Sequence, residues 1–220
     1  MKKILISLCV ILLFCLVGCG EESSDRVSYR QNAYLSGEID NFSVTVISGL
    51  RESPYIADGE KGELVEFCII SLSPKNSEDI NKTYSYKVEI DGEIFQGNLN
   101  KETFGSTLSR DLGVDVGANM SSITFSDGES EFTVPVENMT ANALVSGDDA
   151  LNTAKAQFKD IIDKEESEEK YREIYIKFVS DRLSGEKEYY WYVAFVGKDN
   201  DYLAVLIDVV SGDVIAKRGG

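Results

Sequence analysis

The chain has 220 residues, with 22 lysines and arginines, 38 aspartates and glutamates, no histidine and a net charge of −16 at pH 7. This length allows one or two small domains, and the missing histidine excludes Ser-His-Asp catalysis, Cys-His catalysis and histidine-ligated zinc. The acidic charge argues against nucleic acid as a partner, because phosphate binding requires a surplus of lysine and arginine.

Residues 1–18 have the pattern of a secretory signal peptide. Lys2 and Lys3 precede an apolar run over 4–17, which is shorter than the roughly 20 residues that a membrane-spanning helix needs. The run ends in Leu16-Val17-Gly18-Cys19, which resembles the lipobox of bacterial lipoproteins. The resemblance implies cleavage before Cys19, a diacylated Cys19 sulfur and a lipid anchor on the extracytoplasmic face of the cell membrane. An ordinary cleaved signal peptide with an incidental cysteine is the alternative.

Cleavage at this position changes both the charge and the cysteine content. The loss of Lys2 and Lys3 leaves 20 basic and 38 acidic residues, a charge of −18. The cysteines at 9 and 15 leave with the signal peptide and Cys19 carries lipid, so Cys68 has no partner for an intramolecular disulfide. Cys68 lies in an apolar, β-branched run over 64–70, which predicts a buried and unreactive strand cysteine.

The next two segments differ in composition. Residues 19–37 are polar and short of apolar side chains, which predicts a flexible tether. Residues 38–140 alternate apolar and polar positions, as at Phe42, Val44 and Val46, and contain Asp-Gly turns at 91–92 and 127–128. Six to eight such strands in about 100 residues predict a β-sandwich, and Pro135 is expected at an edge or a bulge. The arrangement resembles the immunoglobulin-like domains of bacterial surface proteins, and a barrel of similar size is the alternative.

The pattern changes to a helical period after the small-residue connector at 140–147. Ser146 or Asp148 can cap a helix that should end within 165–169. Five apolar residues form one stripe on this helix: Leu151, Ala154, Phe158, Ile161 and Ile162.

Three strands are predicted to follow, over 171–180, 188–197 and 202–210, because apolar side chains alternate with polar or aromatic ones. With the helix stripe, one face of each strand is enough for a small core. The faces assigned to that core comprise Ile174, Ile176 and Phe178, then Trp191, Val193 and Phe195, then Leu203, Val205, Ile207 and Val209.

The C-terminal segment also carries a family resemblance. A helix that opens with Ala150-Leu151, the strand Trp191-Tyr192-Val193 and the closing run from Ile207 to Val214 (IDVVSGDV) resemble the PepSY domain. The resemblance covers residues 148–217 and implies a helix packed on three to four antiparallel strands over 148–220. PepSY domains occur in propeptides of secreted metallopeptidases and in cell-envelope proteins. The resemblance therefore implies peptidase inhibition or local regulation outside the cell, and it does not imply catalysis.

Four tyrosines are candidates for contacts with a protein partner. If Trp191 faces the helix, Tyr175, Tyr190, Tyr192 and Tyr202 point away from it and give the sheet an amphipathic face. The alternatives are that this face packs against the sandwich domain, or that tyrosine is present only as a good strand former.

The sequence contains no recognisable catalytic, metal or cofactor motif. The acidic run at 165–169 lacks a calcium-loop pattern, and no phosphate-binding or dinucleotide-binding glycine motif occurs, so no metal and no nucleotide cofactor is expected. We therefore expect a mostly β, lipid-anchored extracytoplasmic binding protein that regulates or inhibits an envelope peptidase and has no enzymatic activity of its own. The alternatives are a structural cell-surface module and, more remotely, a carboxylate-based hydrolase.

Overall fold

The computed structural model describes residues 26–56, 58–102, 105–117, 120–181, 188–198 and 201–219. Within these residues the protein is mostly β, as predicted, with fourteen strands and two α-helices. The strands are β1 (Val27–Ile39), β2 (Phe42–Glu52), β3 (Leu64–Pro74), β4 (Ser85–Ile90), β5 (Glu93–Asn98), β6 (Asn100–Lys101), β7 (Leu108–Asp111), β8 (Ser122–Ser126), β9 (Glu131–Pro135), β10 (Glu137–Asn138), β11 (Glu173–Asp181), β12 (Glu188–Val196), β13 (Tyr202–Asp208) and β14 (Val214–Arg218). The helices are α1 (Gly147–Gln157) and α2 (Lys159–Ser167).

The strands form two sheets. The larger sheet has ten strands in the order β14-β13-β12-β11-β1-β2-β3-β7-β6, with β10 paired to β1, and the smaller sheet has the order β5-β4-β8-β9. Strand β1 pairs antiparallel with β2 from Tyr29 to Ile39 and parallel with β11 at its beginning. Strand β1 therefore joins the N-terminal strands and the C-terminal strands into one continuous sheet.

The predicted tether over 19–37 is wrong from Val27 onward, because this segment is the first part of β1. Ala33 and Leu35 are fully buried, and Tyr29 and Tyr34 are nearly so. A strand that is hydrogen-bonded to β2 and β11 and carries buried side chains cannot act as a flexible leash. The signal peptide at 1–18 and Cys19 lie outside the described residues.

The first core fills the space between the two sheets. Leu35, Val46 and Ile70 of the larger sheet pack with Ile123 and Phe125 of the smaller one, and all five are fully buried. Aromatic rings close one side of this core, where Phe42 and Phe132 stack with their ring centroids 4.4 Å apart. Pro135 ends β9, an edge strand of the smaller sheet, as predicted. The arrangement is therefore sandwich-like.

The second core lies between the two helices and one side of strands β11, β12 and β13. Ser146 caps α1 through a reciprocal capping box with Asp149, in which the Asp149 backbone nitrogen lies 3.1 Å from the Ser146 hydroxyl oxygen. The Trp191 indole donates to the Val145 carbonyl oxygen at 2.8 Å. This hydrogen bond holds the segment before α1 against the sheet. All ten predicted inward-facing strand residues belong to this core, and so do the three buried residues of the predicted helix stripe, Leu151, Ala154 and Phe158.

Truncation of one buried leucine tests whether β1 is structural. Leu35→Ala is expected to lower the free energy of unfolding by about 2–5 kcal/mol, because it leaves a cavity in the sandwich core. The matched control is Leu144→Ala, at a leucine that is 77% exposed. Urea unfolding followed by circular dichroism measures both variants, and equal stabilities would show that residues 27–37 do not contribute to the fold.

Candidate functional site

One side of the C-terminal strands carries the predicted tyrosines. Residues such as Ile176, Trp191 and Ile207 point into the helix core, so the alternate positions of the same strands point to the opposite side. The strand register aligns these positions in rows across the sheet. We call this side the tyrosine face, and it comprises Glu173, Tyr175, Lys177, Val179 and Asp181 of β11, Glu188, Tyr190, Tyr192, Ala194 and Val196 of β12, Tyr202, Ala204, Leu206 and Asp208 of β13, and Ala216 and Arg218 of β14.

The predicted tyrosines do not share one environment. Tyr190, Tyr192 and Tyr202 are half-buried, so part of each ring is accessible to a partner. Tyr175 is only 3% exposed, and its hydroxyl donates to the Glu173 carboxylate at 2.7 Å. Tyr175 is therefore part of the packing beneath the face, and the structure removes it from the predicted set of contact residues.

Two of the remaining tyrosines pack against a pair of buried alanines. Ala194 and Ala204 are direct neighbours on β12 and β13, and they are only 2% and 4% exposed. Tyr192 and Tyr202 pack against them. Because an alanine side chain ends at Cβ, its low exposure depends on cover from larger neighbours such as these rings. Burial raises the pKa of Tyr192.

A loop between β2 and β3 covers the Tyr175 end of the face. The loop is held by two buried carboxylates, since Glu173 accepts from the Gly59 backbone amide and Glu52 accepts from the Gly62 backbone amide, both at 2.8 Å. Glu52 is 2% exposed and Glu173 is 1% exposed. Buried carboxylates are costly unless they are hydrogen-bonded, so these contacts fix the loop and place Tyr55 edge-on against Tyr175, with ring centroids 5.8 Å apart.

The same loop encloses a lysine among tyrosine rings. The Lys177 ammonium nitrogen lies 4.8 Å from the ring centroid of Tyr29, 5.5 Å from that of Tyr175 and 5.9 Å from that of Tyr55. It also donates to the Tyr55 hydroxyl at 3.4 Å. Burial lowers the pKa of Lys177, and the electron-rich ring faces compensate for part of its lost hydration. Sequence reasoning missed Lys177, although its alternation with Ile176 and Phe178 places it on this face.

A mixed-charge cleft lies beside the beginning of β1. Two adjoining cavities of about 270 and 820 Å³ share Arg26, Glu165, Lys170, Tyr171 and Arg172 in their walls. The Arg172 guanidinium makes a two-pronged contact with Glu165, at 2.6 and 2.7 Å, and contacts an Asp201 carboxylate oxygen at 2.6 Å. These ion pairs join the end of α2 to the beginning of β13, so Arg172 supports the fold around the cleft.

Neither a reactive cysteine nor a metal-binding cluster is found among the described residues. Cys68 is fully buried in β3, as predicted, and burial together with the nearby carboxylates of Asp111 and Asp115 raises the pKa of Cys68 to about 12. The thiol is therefore protonated at neutral pH and is a poor nucleophile. In the part of the chain that the structure describes, no group of three or more cysteine, aspartate or glutamate side chains is arranged to hold a metal ion.

Comparison with protein-family models, with curated proteins and with solved structures finds no match for this chain. Among the described residues, no helix combines the length and the apolar character needed to cross a membrane.

The buried carboxylate that holds the loop can be tested by substitution. Glu173→Ala is expected to lower the free energy of unfolding by about 2–4 kcal/mol, because the Gly59 amide and the Tyr175 hydroxyl lose their buried acceptor. Hydrogen exchange at the Gly59 amide should also become faster. Glu60→Ala is the control, since the Glu60 side chain is 71% exposed and makes a surface ion pair with Lys198. Equal effects of the two substitutions would contradict the assigned role of Glu173.

Proposed function

We propose that the protein is a lipid-anchored extracytoplasmic binding protein that contacts a protein partner through Tyr190, Tyr192 and Tyr202. The observation that carries the proposal is the half-burial of these three rings on a sheet side that faces away from the helix core. Tyrosine is enriched at protein interfaces, because its ring buries a large apolar area while its hydroxyl keeps a polar contact.

Apolar neighbours extend this surface. Val179, Val196 and Leu206 are half-buried on the same face, beside the tyrosines. Docking of a partner would remove these side chains from water without requiring any of them to leave the sheet. A rigid sheet loses little conformational entropy on binding, which favours affinity.

The regulatory part of the proposal rests on the C-terminal segment. Helices α1 and α2 pack over the antiparallel strands β11–β14, and this arrangement supports a PepSY-like module at 148–220. We propose that the module occludes the cleft of an envelope peptidase and performs no catalysis itself. The two packed sheets support an immunoglobulin-like sandwich as the second part of the molecule, with β1 shared between the two parts.

The proposed anchor places the folded part close to the membrane. Strand β1 begins at Val27, eight residues after Cys19. An extended chain spans at most about 3.5 Å per residue, so the distance from Cys19 to the sheet is at most about 28 Å. A partner in the same membrane, or one held close to it, is therefore within reach.

The partner surface is tested with a Tyr190→Ala/Tyr192→Ala double variant of the soluble chain from Gly20 onward. Both rings lie on the outer side of the sheet, so the melting temperature should fall by no more than about 5 °C. Capture from solubilised cell envelopes, quantified by mass spectrometry, should retain a partner on the wild-type chain and lose it at least about tenfold on the variant. A captured peptidase should then be inhibited by the wild-type chain in a dose-dependent way.

The matched control is Tyr171→Ala, at a tyrosine that is 41% exposed and lies outside the tyrosine face. It should retain the partner. Equal retention by the wild type and the double variant would reject the tyrosine face as the binding surface, and unfolding of the double variant would show that the face is core.

The anchor is tested in cells by Cys19→Ala. The variant should either appear in the medium or keep an uncut signal peptide, because the lipidation site is lost. Fractionation and mass spectrometry of the N-terminus measure both results. Cleavage with unchanged membrane retention would contradict the lipid anchor.

A further inference from the structure

The edge strands of the two sheets differ in how well they are protected against pairing with another chain. Strands β14 and β6 end the larger sheet, and β5 and β9 end the smaller one. Strand β9 ends in Pro135, which has no backbone N–H, β6 has only two residues, and β14 ends in Lys217 and Arg218. Prolines, charged residues and short strands are the features that prevent edge pairing in natural sheets. In the described part of the chain, β5 is the edge strand without such protection beyond its first residue, Glu93.

Strand β5 is long enough and exposed enough to accept another strand. It has six residues, and after Glu93 none of them is charged. Five of the six are exposed, and Phe95 is half-buried. Ile94 is 55% exposed, although it is a large apolar residue. An exposed, mostly uncharged edge of this length is a template for pairing with a further strand.

The turn before β5 decides which of its backbone groups point to the edge. Residues 91–92 form a two-residue turn with φ values of 51° and 84°, so Ile90 and Glu93 on either side of it form a hydrogen-bonded pair. The Leu99 amide donates to the Tyr84 carbonyl oxygen at 2.8 Å, which continues the same alternation to the other end of the strand. Every second residue of β5 is therefore bonded to β4. The residues between them direct their N–H and C=O groups away from β4, and they are Ile94, Gln96 and Asn98.

We propose that β5 pairs antiparallel with β5 of a second copy of the chain, about a two-fold axis at Gln96. In this register Gln96 lies opposite Gln96 of the second copy, and Ile94 lies opposite Asn98. All three outward-directed positions then form hydrogen-bonded pairs, which gives about six main-chain hydrogen bonds across the axis. Because the strand pairs with itself, the same surface serves on both copies.

The side chains of β5 fit this register. Phe95 lies opposite Gly97 of the second copy, on the side of the sheet that faces the sandwich core. Gly97 has no side chain, and a Cβ at this position would lie 3.3 Å from the Tyr86 hydroxyl oxygen. The Phe95 ring can therefore cover Gly97 beside the Tyr86 ring, and an aromatic ring that covers an edge glycine stabilises strand pairing. The one charged residue of the strand, Glu93, lies opposite Leu99, so the register places no like charges against each other.

The topology allows this pairing and stops it at a dimer. The C-terminal strands lie at the opposite end of the larger sheet from β6, and only Leu99 separates β5 from β6, so these strands do not obstruct the edge. The joined smaller sheets would have eight strands, and both outer strands would be β9, which ends in Pro135. Such an interface buries less than about 1,000 Å², so we expect a weak dimer with a Kd of about 10–100 μM. Under the proposed anchoring through Cys19, confinement to one membrane would raise the effective concentration of both copies.

Sedimentation of the chain from Gly20 onward tests the dimer directly. Between about 1 and about 300 μM the wild-type chain should pass from monomer to dimer. Hydrogen exchange at the amides of Ile94, Gln96 and Asn98 should become slower over the same range, because these groups gain acceptors. Each copy carries a net charge of −16, so salt that screens their repulsion, raised from about 50 to about 300 mM, should strengthen the dimer.

Variants at the two-fold axis assign the dimer to β5. Gln96→Lys should weaken it at least about tenfold, because two ammonium groups would lie opposite each other. The matched control, Thr133→Lys, adds the same charge at an exposed position of β9 and should change the Kd less than about twofold. An equimolar mixture of Gln96→Lys and Gln96→Glu should associate more tightly than Gln96→Lys alone, since opposite charges then meet at the axis.

A second substitution at the same residue protects the test against loss of folding. Lys87 lies opposite Gln96 within the chain, so the melting temperature of Gln96→Lys must be compared with that of the wild type. Gln96→Pro adds no charge and removes an N–H that points away from β4. It should also weaken the dimer at least about tenfold, because proline at an edge position is compatible with the strand but blocks pairing.

Three results would overturn the inference. The first is a wild-type chain that stays monomeric at about 300 μM, and the second is an equal Kd for Gln96→Lys and Thr133→Lys. The third is a dimer that Tyr192→Ala dissociates and Gln96→Lys leaves intact, which would assign self-association to the tyrosine face. Loss of a captured envelope protein in Gln96→Lys, with a monomeric wild type, would assign the β5 edge to a different protein and reject the second copy.

Discussion

The pairing of β1 with β2 on one edge and with β11 on the other is the interaction on which the rest of the structure depends. Strand β1 contributes to every core of the protein: Leu35 to the sandwich core, Tyr34 to the helix core and Tyr29 to the packing beneath the tyrosine face. Its partner β11 lies more than 130 residues further along the chain. Closing so long a loop costs entropy, which is offset only when all three cores form together. Folding of the N-terminal and C-terminal parts should therefore be cooperative.

The sequence predicts the elements with a regular period and misses the one that joins them. Strands β11, β12 and β13 alternate strictly, so the sequence predicts their inward faces, including Ile176, Trp191 and Val205. Strand β1 does not alternate strictly, because its register with β2 shifts between Gln31 and Ala33. A bulge of this kind breaks a period of two, and the polar residues around it resemble a linker in composition.

In the tyrosine face too, local sequence patterns predict some features, and contacts between distant parts of the chain decide the others. Alternation along β12 places Tyr190 and Tyr192 on the outer side of the sheet, and this much could be derived from sequence. The burial of Tyr175 could not, because the loop that covers it is held by Glu173 through the Gly59 amide, 114 residues away in the chain. The loop consequently covers the end of the face next to β1 and leaves the end of β11 exposed. No local sequence pattern predicts this difference between the two ends.

The parallel pairing of β1 and β11 also decides which end of the face lies nearer to the proposed anchor. Val27, where the chain enters the sheet, is aligned with Ile174, and Asp181 lies seven residues further along β11. At about 3.3 Å per residue, Asp181 is about 23 Å beyond the entry point of the chain. Strand β13 runs parallel to β11, so Asp208 lies at the same far end. Under the proposed anchoring through Cys19, the exposed end of the tyrosine face thus lies farther along the sheet from the entry point of the chain than the end that the loop covers.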